Sequence, residues 1–133
     1  MEVKLMNGKK RTFIFPVIKQ IEELQEKAVL KIYTKMLLED VIKNKVELYV
    51  VIDNHKVLGY CIVKNESNKG RIEILEVFEE KKGLGSILLD SLKEKYDVIE
   101  AEALNNVVGF YTKNGFKIKK RYYARTDVIW SRD

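Results

Sequence analysis

Apolar positions along this chain follow two periods, and the places where the period changes mark out its elements. Residues 3–15 read as two short extended pieces around the turn dipeptide Asn7-Gly8, with Thr12-Phe13-Ile14-Phe15 the stronger strand. Pro16 then ends that strand or opens a helix at its first position, where a missing N–H costs nothing. From Val17 to about Lys43 the apolar residues Ile18, Ile21, Leu24, Ala28, Ile32, Met36, Leu37 and Val41 keep a helical period. That run is long against a mean helix of about 11–12 residues, so it predicts two helices with a break near Thr34, both covering a sheet.

Past this point strands dominate. Residues 47–52 and 57–63 are strands joined by the polar turn Asp53-Asn54-His55-Lys56, and a second polar turn, Asn65 to Gly70, leads into a strand at 71–78. Together they predict an antiparallel meander. Leu84, Ile87, Leu88, Ser91, Leu92 and Tyr96 then form one buried helical face. A strand at 98–103 follows, so the 71–78 and 98–103 strands are parallel through a right-handed crossover. Asn105 or Asn106 can cap a short helix from Val107 to Lys113, stopped by Asn114-Gly115. Strands at 116–119 and 127–130 close the chain. The expected fold is α/β in a single domain over residues 1–133, with a mixed, mostly antiparallel central sheet flanked by helices.

Composition adds little to this frame but removes several classes. The 133 residues are 46% hydrophobic and 34% charged, which suits a folded chain with its own core. No apolar run approaches the ~20 residues that cross a bilayer, and the N-terminus lacks a signal-peptide segment. Cys61 is the one cysteine, so no internal disulfide forms, and a reducing, cytoplasmic setting is expected. One Cys and one His also exclude a Cys/His zinc cage. The net charge of +5 is uneven: Lys117, Lys119, Lys120, Arg121 and Arg125 cluster, and Lys9, Lys10 and Arg11 form a second knot. Such basicity suits an anionic partner or simply a solvated surface.

The stretch with chemical meaning is Glu79-Glu80-Lys81-Lys82-Gly83-Leu84-Gly85-Ser86, between a strand and a helix. Glycines at a helix start leave backbone N–H groups open to a phosphate, and Lys81 and Lys82 add charge beside them. A nucleotide-hydrolase P-loop would need Gly-Lys-Ser/Thr, which no glycine here supplies. A dinucleotide fingerprint needs a third glycine, where this chain has Leu88.

Val77, the Gly83-Leu84-Gly85-Ser86 loop and the run from Val107 through Phe110-Tyr111-Thr112-Lys113-Asn114-Gly115-Phe116 together resemble the GNAT (Gcn5-related) N-acetyltransferases. The resemblance covers about residues 45–130. It implies a GNAT-like fold and direct transfer of an acetyl group from acetyl-CoA, a cosubstrate, to an amine. It implies that Val77 offers its backbone to pantetheine. Lys81, Lys82, Gly83, Leu84, Gly85 and Ser86 would hold the CoA pyrophosphate, and Asn106 would contact ligand or cap its helix. Tyr111 matches the family's general acid for the departing thiolate. The base would be a carboxylate on the preceding strand: Arg71 stands at the aligned place, Glu73 and Glu76 are nearby, and Glu73 is the choice, since alternation lets only one of the two face a given side. Where the family usually has Gln or Arg, this chain has Glu80, and its loop is shorter.

His55 is expected to be an exposed turn residue and Cys61 an inert core residue, although with Asp53 they offer the types of a nucleophile triad. The acceptor is an amine on a small molecule or a protein, with no membrane partner. Two other readings stay open: a CoA-binding module of the same fold without turnover, and a nucleic-acid binder using residues 117–125 with Tyr122 and Tyr123 as stacking platforms. A homodimer is left open as well.

Overall fold

The computed structural model describes residues 2–6, 11–25, 34–78 and 83–132. Its elements in chain order are β1 (Glu2–Met6), α1 (Arg11–Leu24), α2 (Thr34–Ile42), β2 (Glu47–Asp53), β3 (Lys56–Glu66), β4 (Lys69–Val77), α3 (Leu84–Lys95), β5 (Val98–Leu104), a 3-10 turn (Asn105–Val107) running into α4 (Val108–Lys113), β6 (Lys117–Arg121) and β7 (Arg125–Ser131). The strands form one seven-stranded sheet in the order β1-β2-β3-β4-β5-β7-β6. Only β4 and β5 pair in parallel; every other neighbouring pair is antiparallel.

The meander is built by two tight hairpins. Asn54 and His55 (φ 49° and 65°) turn β2 into β3, and Ser67 and Asn68 (φ 53° and 68°) turn β3 into β4. Left-handed backbone at both central residues matches the twist of the flanking strands, so each loop needs only two residues. The second turn is therefore tighter than the Asn65–Gly70 span expected from the sequence.

Two cores sandwich the sheet. On one face α1 and α2 bury Ile14, Val17, Ile21, Leu37 and Val41 against Leu48, Val50 and Tyr60. On the other, α3 and α4 bury Leu84, Leu88, Leu92, Tyr96 and Tyr111 against Tyr49, Cys61, Ile99 and Val128. Glu47 at the start of β2 fastens this second layer: it accepts from the hydroxyls of Tyr49 and Tyr96 and from the Lys95 ammonium, tying the end of α3 to the sheet.

One element differs in kind from its expectation. Thr12-Phe13-Ile14-Phe15, read as a strand, is the first turn of α1, and Pro16 lies inside that helix. The reason is packing. Ile14, Val17, Ile18 and Ile21 form one continuous stripe, each no more than 6% exposed. Burying aliphatic side chains is worth about 1.5–3 kcal/mol apiece. Ile14 is the member that carrying the helix back through Pro16 adds to this stripe, and its burial offsets much of the ~3 kcal/mol that proline costs in a helix interior. The second helix is described over Thr34–Ile42, and the stretch before it, where the break was expected, lies outside the described residues. The Asn7-Gly8 turn, Lys9 and Lys10 lie outside the described residues. Among the described residues no helix is long and apolar enough to cross a membrane.

Candidate functional site

The parallel pair β4–β5 is a fork. Lys69 to Ile72 pair with Val98 to Ala101, and there the pairing stops. Beyond it β4 stays with β3 as far as Val77↔Gly59, while β5 stays with β7 as far as Leu104↔Arg125. The strands diverge at a bulge: Ile62 pairs with Ile74 and Val63 with Ile72, leaving Glu73 as the extra residue of β4. An extra residue bends and twists its strand, which turns the rest of β4 away from β5. The inward edge of β4 from Ile74 to Val77 thus carries backbone groups with no strand beside them.

A cleft of about 610 Å³ opens at this fork, lined by Leu75 and Val77 of β4, by Gly83 to Ser86 at the head of α3, and by Phe110, Tyr111 and Lys113 of α4. Its size is that of a small-molecule site. Gly83 is the N-cap of α3 in left-handed backbone (φ 65°, ψ 25°) and offers no side chain to the helix amides. The first N–H groups of a helix have no acceptor within it, and the helix dipole makes that end attractive to an anion. No acidic residue occupies the first turn of α3. Gly85 has a different reason to be glycine: a Cβ there would lie 2.8 Å from Cζ of Phe110. The Gly-Leu-Gly loop and the Phe110–Phe116 run therefore meet in space.

Tyr111 is set by the end of its own helix. Gly115 (φ 89°) lets its N–H reach the Thr112 carbonyl, and the Phe116 N–H reaches the Tyr111 carbonyl at 3.0 Å. This paired closure of a helix end brings the rings of Phe116 and Tyr111 together at 5.2 Å, edge to face. Phe110 packs on the other edge of Tyr111 at 5.1 Å. The Tyr111 ring is 6% exposed and lines the cleft. Burial pushes its phenol well above the usual tyrosine pKa, so it holds its proton throughout the neutral range. Lys93 of α3 donates to the Asn114 carbonyl at 2.5 Å and locks this corner to the next helix.

The carboxylates of β4 lie behind the cleft wall. The bulge breaks the alternation, so Glu73 and Glu76 share the face turned toward α1 and α2. This corrects the expectation that only one of them could face a given side. Glu73 is exposed and ion-paired with Lys64 at 3.3 Å. Glu76 is half-buried, and its Oε2 lies 3.4 Å from the Tyr60 hydroxyl. Burial raises the Glu76 pKa, and the Tyr60 hydrogen bond offsets this only in part. Tyr60 in turn accepts from Nε2 of Gln25, at the end of α1, at 3.0 Å. Arg71 bonds Glu102 at 3.1 Å. Glu100 gathers Lys69 and Lys119, so the β4–β5–β6 part of this face is a lattice of paired charges.

Of the residues singled out in the sequence, Val77, Gly83, Leu84, Gly85, Ser86 and Tyr111 converge on the cleft. Lys81 and Lys82, like Glu80, lie outside the described residues. Asn106 is exposed and does not line the cleft, and neither asparagine caps the following helix through its side chain. Asn105 instead donates to the Tyr123 carbonyl at 2.9 Å and accepts from Thr126, clamping the β6–β7 hairpin. His55 is exposed at a hairpin tip, and Cys61 is fully buried with its thiol pKa raised by burial. Among the described residues no group of three or more side chains could hold a metal ion. Tyr60 and Gln25 escaped the sequence reading, since nothing in a single chain signals a contact across 35 positions.

The arrangement is that of the Gcn5-related N-acetyltransferase fold. The chain superposes on Tetrahymena Gcn5 with a TM-score of 0.77 at 16% identity, covering 100% of this chain and 97% of that one. Campylobacter jejuni N-acetyltransferase PseH in complex with acetyl coenzyme A gives 0.74 at 16% identity, covering 99% and 100%. Thermoplasma acidophilum PaiA N-acetyltransferase in complex with coenzyme A gives 0.64 at 17% identity, covering 98% and 99%. No protein-family model matches the chain, and no curated protein matches it by sequence.

Proposed function

We propose that the protein is an acetyl-CoA-dependent N-acetyltransferase that passes the acetyl group directly to an amine. The observation that carries this reading is the forked sheet, with unpaired β4 backbone on one side of the cleft and the uncapped head of α3 at its mouth. A thioester on a long diamide arm ending in a diphosphate suits both features. The pantetheine amides take the place of a missing strand along Val77, and the pyrophosphate meets the amides from Gly83 to Ser86, with Lys81 and Lys82 adjoining them in the chain. Two solved relatives of the fold hold coenzyme A or acetyl coenzyme A.

The chemistry asks for two proton movements. The acceptor must become a free amine, and the proton it sheds goes to a carboxylate on the α1–α2 face of β4. The amine nitrogen then attacks the thioester carbonyl: a C–N bond forms, the C–S bond breaks, the leaving sulfur takes a proton from the Tyr111 phenol, and the second proton shed by the nitrogen restores that phenol. Positioned acids and bases of this kind contribute on the order of 10²–10⁴-fold each. Cys61 as a buried free thiol fits a reducing cytoplasmic setting, which belongs to the same proposal.

A thermal titration tests the donor site. A ligand at 100 times its Kd stabilises by about 2.7 kcal/mol, so acetyl-CoA should raise the melting temperature, and its failure to do so at millimolar concentration would overturn the reading. A thiol reagent with a panel of amines then reports turnover. The second reading, a CoA-holding module without turnover, is favoured by Glu80 at a position where the fold's enzymes usually carry Gln or Arg. It predicts stabilisation by CoA and no thiol release with any amine.

A further inference from the structure

We propose that the β6–β7 hairpin is a binding surface for single-stranded nucleic acid, with phosphates on Lys117, Lys120 and Arg121 and a base on the ring of Tyr123. β6 is the last strand of the sheet, and all 5 of its residues are exposed. Basic residues on such an edge serve first to stop it pairing with another strand. Two observations go beyond that role. The first is which charges are already held. Lys119 bonds Glu100 at 3.1 Å and Arg125 reaches Glu102 at 3.5 Å, whereas Lys117, Lys120 and Arg121 meet no carboxylate among the described residues. Lys120 and Arg121 are neighbours in the strand, opposite Asp127 and Thr126, and so project to opposite faces. The unpaired charge therefore lies on both sides of one edge. A polyanion that meets all of it must fold round that edge. A duplex, with a persistence length of about 150 bp, is too stiff to do so, and a single strand is not.

The second observation is the pair of tyrosines at the tip. The Tyr122 ring has Lys120 Nζ at 5.1 Å and the Arg125 guanidinium at 5.2 Å, so it orders the cations around it. Tyr123 is of another kind: its ring is 102% exposed and meets no other ring or cation among the described residues. Its backbone is nonetheless fixed. Asn105 donates to the Tyr123 carbonyl at 2.9 Å, and the Tyr122 N–H donates to the Arg125 carbonyl at 2.8 Å. A bare aromatic face on a held backbone, beside unpaired cations, is what a nucleic-acid base stacks on while its phosphates are neutralised. An acidic polypeptide would need the cations and not the ring. The turn that supplies Asn105 also supplies Val107 to the wall of the donor cleft, so the surface adjoins that cleft while being built from other residues than the head of α3. Nucleic-acid binding here is independent of acetyl transfer, and either can fail without the other.

The test is fluorescence anisotropy of a labelled oligothymidylate of about 16 nucleotides, with and without acetyl-CoA at millimolar concentration. Affinity should be the same in both. For single strands log K falls by about 0.7 per neutralised phosphate for each unit of log salt, so three cations predict a slope of about −2 between about 50 and about 200 mM. Tyr123→Ala should weaken binding by about 5- to 100-fold at fixed salt. Because that ring is wholly exposed, the melting temperature should not move. Lys117→Gln, Lys120→Gln and Arg121→Gln together should flatten the slope toward zero. Lys43→Gln, which removes an exposed charge just past α2, should change neither affinity nor slope. A poly-glutamate peptide should bind more weakly and be indifferent to Tyr123→Ala. No binding at about 50 mM salt, equal affinity for poly-glutamate, or Tyr123→Ala without effect overturns the proposal. So does loss of binding with acetyl-CoA when the hairpin variants bind as the unaltered protein does, since the oligonucleotide would then occupy the donor cleft.

Discussion

The two faces of the sheet offer a ligand different means of recognition. On the α3–α4 face the cleft adds to its apolar side chains and the Tyr111 phenol a set of backbone groups: the open edge of β4 and the amides at the head of α3, where Gly83 carries no side chain. On the α1–α2 face the work falls to side chains, with Glu76, Tyr60 and Gln25 in one hydrogen-bonded line and a lattice of ion pairs around Glu100. Backbone recognition tolerates substitution as long as φ and spacing are kept. Side-chain chemistry does not, because each group depends on a partner far away in the chain. On the acetyltransferase reading proposed above, a protein built this way can keep its donor site while its reactivity and acceptor preference drift.

That contrast can be broken at several points. Tyr111→Phe strikes chemistry on the face otherwise devoted to binding: kcat should fall by on the order of 10²–10⁴-fold while acetyl-CoA still stabilises the fold. Equal loss of both would show that the phenol serves binding. Gly85→Val acts on the fold at the head of α3 and through it on binding. Its Cβ would meet Phe110 at 2.8 Å, so the ~1–3 kcal/mol of overpacking strain should lower the melting temperature without ligand, and the displaced head of α3 should weaken stabilisation by acetyl-CoA. Gly115→Ala tests how firmly the helix end holds Tyr111. A φ of 89° costs a residue with a Cβ about 1–2 kcal/mol, read as a lower urea midpoint.

The smallest effect belongs to the far-face lattice. Burial would raise the Glu100 carboxyl, but Lys119 and Lys69 outweigh it and hold its pKa below the ordinary range. A depressed folded pKa gives stability that is present above the unfolded value, about 4.3, and lost as pH falls through the folded value. Glu100→Gln should therefore cost about 1 kcal/mol or less at pH 7, and the gap should close below pH ~4 in denaturant titrations.

What could be read from the chain follows the same division. The meander, the crossover and the Phe110–Phe116 helix end were legible because each rests on local pattern: alternation, turn residues with φ > 0, and a glycine stop. The start of α1 was not, since Thr12-Phe13-Ile14-Phe15 looks like a strand until Ile14 is seen to continue the buried stripe of Val17 and Ile21 beyond Pro16. The shared face of Glu73 and Glu76 was not legible, because strict alternation assigns them to opposite faces and a single extra residue in β4 cancels that logic. Asn105 was read as a helix cap, yet its partners Tyr123 and Thr126 arrive from a later hairpin. Local rules see turns and periods; they miss any residue whose partner is contributed by another element.

The contact between Gly85 and Phe110 has a consequence for how this protein can change. The ring of Phe110 occupies the room that a side chain at position 85 would need, so the two positions share one volume. Neither can grow unless the other shrinks. A library that varies them singly would find both intolerant, whereas Gly85→Ala combined with Phe110→Leu should regain much of what Gly85→Ala loses. The pair behaves as one inherited unit split between two helices.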